Sequence, residues 1–455
     1  MAQAAHDEVC EVRDAIYGFV KLTKAEWEII NEPAFQRLRD IRQLDMAHLV
    51  YPGANHTRFE HSIGCVHLAS MMFDALVERD GDVLASEFGL NETAQRRARQ
   101  ALRLAALLHD IGHAPFSHTG EGLLPVNDHG EKLDHEDLTA RIIEHGLSDL
   151  IRARFGALGL DWPEIVAIAT KFEKVPQFRT LPFHGFLNEL LTGELGTDRI
   201  DYLLRDALHS GQPSGFFDFR RLVGCLTMVP SPDQGDATPR IGLDEGGWLV
   251  AEQMLAARYF MYQSLYFHKT KRILGIHLTE FVEKWLMERF GAPTLPSAID
   301  DYLAISDSDV WFALRSAAHD ENHTARESAD RLIHRKHMRL AHEIILADCA
   351  SIDPRGRRVP DRARFGRLVE HVRNTLGLSC RADAPDHSAT KMFDEGSKLL
   401  VKIDDTPRYL NSISEVVGGM ASKIWRGRVY ADRPQLINAK KLCKTWLKEN
   451  PTQEA

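Results

Sequence analysis

LLHDIGHAPFSH, residues 107–118, follows the apolar run ALRLAALL (101–108) and places three histidines and one aspartate within ten residues. Neither an imidazole nor a carboxylate gains from burial unless it finds a partner. The adjacent His109 and Asp110, at the end of so apolar a segment, therefore belong either to a satisfied core network or to a metal site. Neighbours on a helix point about 100° apart and do not normally share a ligand. At a helix that stops they can, and Gly112 and Pro115 mark such a stop. His113 falls four residues after His109, on the same helical face, and His118 follows the turn. Taken singly, each histidine is more simply read as capped or exposed.

Outward from this stretch the pattern is mostly helical. Apolar residues recur at helical spacing over 24–45, with a break near Pro33, and Thr57 and Glu60 form a capping-box pair that starts a helix at Thr57. Further helices are expected over 93–112, 136–157, 162–173, 195–211 and 251–290. Between them, CLTMVP, PRIGLDE and GWLVAEQ (within 224–250) are short, turn-bounded and partly β-branched, which predicts a small hairpin or three-strand patch. Beyond residue 291 helical pieces continue over 296–349. DPRGRRVPDR (353–362) is expected to be a linker or loop, and KLLVKIDD (398–405) and IWRGRVYAD (424–432) to be strands of a smaller mixed C-terminal region. The expected division is a core at 1–290 and a C-terminal region at 291–455.

The chain of 455 residues carries 56 Lys+Arg against 65 Asp+Glu, a formal charge of −9. That balance argues against a dedicated nucleic-acid partner, which would want a basic face. The six cysteines are scattered, none within CxxC distance of another, so neither a disulfide framework nor a thiolate zinc site is expected. The first residues contain no apolar leader-like segment, and no run of apolar residues is long enough for a membrane span. The expected setting is a reducing cytoplasm.

Imidazole and carboxylate together suit borderline-to-hard divalent ions such as Fe²⁺, Mn²⁺ or Zn²⁺. The candidate donors are His61 in RFEHS, the His109–Asp110 pair, and one acid of TDRIDY. His113, His118 and His135 (in LDHEDL) could supply a general acid beside a metal-bound water, since histidine titrates near neutrality. In TDRIDYLLRD, Asp198, Tyr202 and Asp206 share one helical face, and Asp201–Arg205 reads as a plain surface ion pair. Arg258, Tyr262, Tyr266 and Lys269 repeat at helical spacing. They form either a core helix with a basic edge or a phosphate grip beside a stacking face.

FQRLRDIRQL, YPGANHTRFEHSIG, LLHDIGHAPFSH, DHE (134–136), TDRIDYLLRD and YFHKTKR span residues 35–272 in one order. Together they resemble the HD-domain phosphohydrolases, most closely the dNTP triphosphohydrolase branch. The resemblance implies an all-α HD-domain core with a small β-hairpin insertion, followed by a smaller mixed α/β C-terminal region. It implies metal ligands at His61, His109, Asp110 and Asp198, Asp198 being preferred to Asp201 on family spacing. It makes His113, His118, His135 and Glu136 catalytic, with His118 protonating the leaving 5′ oxygen and Glu136 orienting a histidine. Arg58, Arg199, Arg258 and Lys269 would bind the triphosphate, and Gln43, Leu44, Tyr202, Asp206, Tyr262 and Tyr266 the sugar and base. Arg199 stands where relatives carry lysine, which keeps the charge and alters the geometry.

The implied reaction cleaves a dNTP to a deoxynucleoside and inorganic triphosphate, as in control of dNTP pools, with Fe, Mn or Zn at the HD site and Mg²⁺ accompanying the triphosphate. The implied partners are the dNTP, a nucleotide activator, and further copies of the chain as a dimer, tetramer or hexamer. Asn31 replaces an acidic residue that reads an activator guanine in vertebrate relatives, while Gln36, Arg39 and the basic DFRRL (218–222) remain. The alternative keeps the metal site and changes the substrate to that of a nucleotidase, a phosphodiesterase or an alarmone hydrolase. A sensor module with a vestigial site would be expected to have lost a ligand.

Overall fold

The computed structural model describes residues 9–127, 129–170, 182–232, 238–352, 358–387, 399–419 and 424–451. The chain forms two compact units. The first comprises Met1–Arg258, Thr294–Val310 and Ser397–Gly419, and the second Tyr259–Pro293, Trp311–Gly396 and Met420–Ala455. The chain thus crosses between units several times, which a single cut at residue 290 does not express.

The first unit is built around two long helices. Arg58–Phe88 starts where the capping box requires. Thr57 is the N-cap, Glu60 returns a carboxylate to the Thr57 N–H at 3.0 Å, and Gly89 ends the helix in the left-handed region at φ 69°. Asp80 interrupts it with non-helical dihedrals, and its carboxylate accepts instead from the Met228 N–H at 2.9 Å. Glu92–Leu108 is capped by Asn91 and buries every residue of its last two turns, Ala101 to Leu108. It stops four residues earlier than the spacing predicts, so His109–Gly112 lie in a turn.

Thr197–Ser210 packs across the first long helix, ending at Gly211 with φ 70°. The approach depends on Gly64, since a Cβ there would sit 2.0 Å from Asp201 Oδ1. His135–Ile142 is brought against the 109–112 turn by a second close approach. A Cβ on Gly112 would lie 2.2 Å from the His135 carbonyl oxygen.

Several expectations are corrected. A hairpin of Val9–Asp14 and Gly18–Thr23 precedes the helices, in a stretch the sequence reading left without structure. The mid-chain hairpin pairs Leu226–Val229 with Arg240–Asp244, but GWLVAEQ opens a helix, Trp248–Met261, rather than a strand. Leu400–Ile403 is a strand as expected. It joins this sheet, parallel to Arg240–Asp244, and so belongs to the first unit and not to the C-terminal one. The helix expected at 251–290 is divided by a π-helical turn at Tyr262–Tyr266 and resumes as Lys269–Phe290. The helical region 296–349 gives way to a strand at Arg339–Ile345. Part of the expected helix 162–173 and of the loop 353–362 lies outside the described residues.

In the second unit, Ile424–Ala431 is the central strand of an antiparallel sheet, between Arg339–Ile345 and Cys380–Asp383. Trp425, Phe365, Leu368, Val372 and Trp446 form its core. Among the described residues no helix is long and apolar enough to cross a membrane.

Candidate active site

Four side chains converge where the long helices meet Thr197–Ser210. His61 projects from the first turn of Arg58–Phe88, His109 and Asp110 from the turn after Glu92–Leu108, and Asp198 from the first turn of Thr197–Ser210. His61 Nε2 lies 3.2 Å from Asp198 Oδ1 and 3.5 Å from Asp110 Oδ2. His109 Nε2 lies 3.5 Å from Asp110 Oδ1 and 3.7 Å from Asp198 Oδ1. Donors that share one ion at bonds of about 2.0–2.2 Å stand about 3 Å or a little more apart, the spacing found here.

The second nitrogen of each imidazole shows how the first is aimed. His109 Nδ1 donates to the Ala106 carbonyl at 2.9 Å, and Nε2 is buried with no hydrogen-bond partner among the described residues. His61 Nδ1 is 2.7 Å from Asp201 Oδ2. This carboxylate–histidine arrangement fixes the ring's orientation and turns Nε2 toward the cluster. The residues therefore fit a divalent ion at His61, His109, Asp110 and Asp198.

Cys65 is also close, but its Sγ is 3.7 Å from both nitrogens of His61. Equal distances place the sulfur over the ring face, not along a lone pair. Burial pushes the free thiol up to about 12, and His61, Cys65 and His109 together form a group close enough to hold a metal ion.

Asp201–Arg205 is not the surface pair that i,i+4 spacing predicts, because both side chains are fully buried. The guanidinium bonds both Asp201 oxygens at 2.9 Å, and Arg205 is also 2.9 Å from Asp14. Burial would raise the Asp201 carboxyl, but Arg205 and His61 bring it down to about 2. The same opposition holds at Asp110. Burial raises it, and the Arg58 guanidinium, with a hydrogen bond from His113, holds it well below the usual carboxylate range.

Arg58 lies nearly buried. Its NH1 bonds Asp110 and its Nε donates to Ser117 Oγ at 2.8 Å. The three further histidines gather on one carboxylate. His135 Nδ1 is 2.6 Å and His118 Nδ1 3.2 Å from Glu121 Oε1, while His113 stacks on His135 with ring centres 4.1 Å apart. His113 is driven well down by burial and by the charges of Arg58 and His135, so it is neutral. At His135 burial lowers the pKa, but Glu121 outweighs it and the net shift is upward. The carboxylate these histidines share is Glu121. Glu136 sits in the first turn of His135–Ile142. Glu121 falls three residues after His118, a spacing that would have marked it in the sequence.

A family model described as "HD domain" matches residues 58–167, and one described as "HD associated region" matches 217–450, just over half of the chain. The chain belongs to the HD-domain family. Its curated relatives include MJ1154 of Methanocaldococcus jannaschii, 33% identical over 61% of this chain and 50% of that protein. They also include deoxynucleoside triphosphate triphosphohydrolase SAMHD1 of Homo sapiens, 31% identical over 62% of this chain and 45% of that protein. The chain spans about half the length of the curated relatives it matches. A crystal structure of a hypothetical protein from Aquifex aeolicus superposes with a TM-score of 0.73 at 28% identity, covering 96% of this chain and 100% of that one.

The remaining candidates of this HD-domain protein divide between the units. Arg199 NH1 is 2.8 Å from Glu194 Oε2, and Arg258 NH1 is 3.7 Å from the same oxygen. Tyr202, on the face of Asp198, feels both guanidiniums, although burial dominates and raises its phenol. Asp206 is buried and bonds His56 Nε2 at 2.7 Å. Leu44 is buried, and Gln43 keeps a buried side-chain oxygen with no partner among the described residues. Tyr262, Tyr266 and Lys269 belong to the second unit, where the Lys269 carbonyl accepts from the Tyr430 hydroxyl at 3.0 Å.

Proposed function

We propose that this HD-domain protein is a metal-dependent phosphohydrolase acting on deoxynucleoside triphosphates, releasing a deoxynucleoside and inorganic triphosphate. The observation that carries the hydrolytic reading is the buried His109 Nε2, without a hydrogen-bond partner among the described residues, facing two carboxylates beside the oriented His61 imidazole. The dNTP reading draws support from SAMHD1 relatives named for that activity and from two arginines already turned toward one anion, the Glu194 carboxylate.

A metal ion at His61, His109, Asp110 and Asp198 would supply Lewis-acid polarisation of the phosphoryl group and a water nucleophilic at neutral pH. Around it, Asp201 keeps His61 in one orientation and Arg58 keeps Asp110 ionised and in place. Water adds to the α-phosphorus, the bond to the 5′ oxygen breaks, and that oxygen takes a proton from the His118–Glu121–His135 group. His135 is the member held protonated, and His118, with 70% of its side chain exposed, is the one that solvent and substrate reach. Arg199 and Arg258 neutralise the departing triphosphate. Gln43, Leu44, Tyr202 and Asp206 surround sugar and base, and the Gln43 oxygen, without a partner among the described residues, is an acceptor suited to a hydroxyl. Nucleotide activation, self-association and a cytoplasmic setting belong to the same proposal.

The test is a product assay. The purified chain is incubated with each dNTP and NTP, singly and mixed, with Mg²⁺, Mn²⁺ or Fe²⁺, and the products are resolved by anion exchange. Triphosphate plus deoxynucleoside supports the reading, and faster turnover in mixtures supports activation. Orthophosphate or pyrophosphate moves the enzyme to another HD-type reaction.

A further inference from the structure

Asp307 has no place in the chemistry described so far, yet its side chain is fully buried beside the site. Its two oxygens serve two separate backbone segments. Oδ1 accepts from the Phe116 N–H at 2.7 Å, and Oδ2 accepts from the Arg42 N–H at 3.1 Å, with the Arg42 guanidinium 3.6 Å away. Arg42 immediately precedes Gln43 and Leu44, and Phe116 immediately precedes Ser117 and His118.

The Phe116 segment needs holding. Phe116 and Ser117 both have positive φ, 57° and 51°, a conformation that side-chain-bearing residues keep only when their surroundings impose it. The strained turn aims one hydroxyl. Ser117 Oγ donates to the Arg42 carbonyl at 2.6 Å and accepts from Arg58 Nε at 2.8 Å, while the other end of that guanidinium bonds Asp110. An unbroken chain of contacts therefore runs from Asp307 through Phe116, Ser117 and Arg58 to a proposed metal ligand. The same 294–310 segment grips the loop elsewhere. Tyr302 donates to the Gly112 carbonyl at 2.8 Å, and Arg37 bridges the carbonyls of His113 and Ile305 at 2.9 Å each.

We propose that Asp307 is a positioning residue of the HD site, clamping the Arg42 and Phe116 backbones together so that the strained Phe116–Ser117 turn holds Arg58 on Asp110 and His118 over the site. The proposal rests on reading that site as a hydrolytic centre. Its physical cost supports it. Burial and the nearby Asp40 push the Asp307 carboxyl up to about 7, against the lowering by the two N–H donors and Arg42. A buried acid that ionises so reluctantly is an expensive spacer, and an apolar side chain would fill the volume more cheaply.

The test uses the full chain loaded with metal and the variant Asp307→Asn, which keeps the shape but offers one acceptor oxygen where two donors wait. Amide exchange at Arg42 and Phe116 is expected to accelerate by about tenfold or more, the loss of one charge-assisted hydrogen bond. The kcat on the best nucleotide substrate is expected to fall by about tenfold, with KM little changed and metal content equal to wild type. Ser117→Ala should reproduce the loss in kcat, and the double variant should be no slower than Asp307→Asn alone, since both cut one chain of contacts. Exchange rates within twofold of wild type at both amides overturn the clamp. Fast exchange with unchanged kcat overturns its positioning role, and so do additive losses in the double variant. If Asp307→Asn does not fold, Ser117→Ala decides: wild-type kcat overturns the proposal, and a loss at full metal content upholds it. A wild-type chain that hydrolyses no nucleotide defeats the functional reading separately, and the exchange rates still judge the clamp.

Discussion

His61 Nδ1 lies 2.7 Å from the Asp201 carboxylate, and both side chains are fully buried. The pair stands behind the His61 nitrogen proposed to face the metal, so on that reading Asp201 governs the donor without being one. Asp201→Asn is expected to weaken metal affinity by about 10- to 100-fold. It also strips the buried Arg205 of its bidentate partner, leaving Asp14 and the more distant Glu60, so stability should fall by about 3 kcal/mol. The Asp201 carboxyl is lowered to about 2, so its contribution to stability is full above an unfolded-state value of about 4 and disappears as the pH falls toward 2. Chelator competition and urea midpoints across pH read both effects. Wild-type metal affinity in Asp201→Asn would mean that His61 is not oriented this way.

His109→Ala and Asp110→Ala are expected to abolish metal binding and turnover while leaving the helical fold, because the core of the first unit rests on apolar burial along the two long helices. Elemental analysis and circular dichroism separate the two consequences. Normal turnover in either variant would remove these residues from the site.

Glu121 Oε1 contacts His118 and His135 and outweighs the burial that would otherwise deprotonate His135. Glu121→Gln removes that charge, so His135 should lose its proton at lower pH and the alkaline limb of the kcat profile should move to lower pH. The stability linkage has a definite sign. Because the folded-state pKa of His135 is raised, its contribution is present below the unfolded value of about 6.5 and is lost as the pH rises through the folded one. A kcat profile unchanged in Glu121→Gln would exclude the Glu121–histidine group as the proton source.

Much of this site is legible in the sequence because its elements obey local rules. The Thr57–Glu60 box fixes where His61 begins its helix, and Gly112 and Pro115 announce the turn that lets His109 and Asp110 share a site. What escaped was set by tertiary contact. Asp201 looked like a surface acid because i,i+4 pairing is silent about burial, which Gly64 creates from another helix. Asp307 lies 191 residues from Phe116, and nothing local marks it as that amide's acceptor. The strand Leu400–Ile403 was visible as a strand, but its partner Arg240–Asp244 was not, since a parallel pairing across so long a loop leaves no periodic trace.

Glu194 Oε2 stands between two proposed phosphate ligands, 2.8 Å from Arg199 and 3.7 Å from Arg258, with 24% of the Glu194 side chain exposed. A triphosphate that uses these guanidiniums must displace this carboxylate, so part of its binding energy is spent breaking contacts that already exist. Partly exposed pairs of this kind contribute about 0.2–1 kcal/mol each, which limits the effect. Glu194→Gln should therefore lower KM for the triphosphate by about two- to tenfold at low ionic strength, with a smaller gain as salt screens the anion–arginine attraction. Arg199→Ala and Arg258→Ala should raise KM, and Glu194→Gln should bring a smaller improvement in either background, since only one of the two contacts is left to displace. Steady-state kinetics at two salt concentrations decide the matter. A Glu194→Gln chain with higher KM would show that the carboxylate holds the arginines in place for the substrate rather than against it.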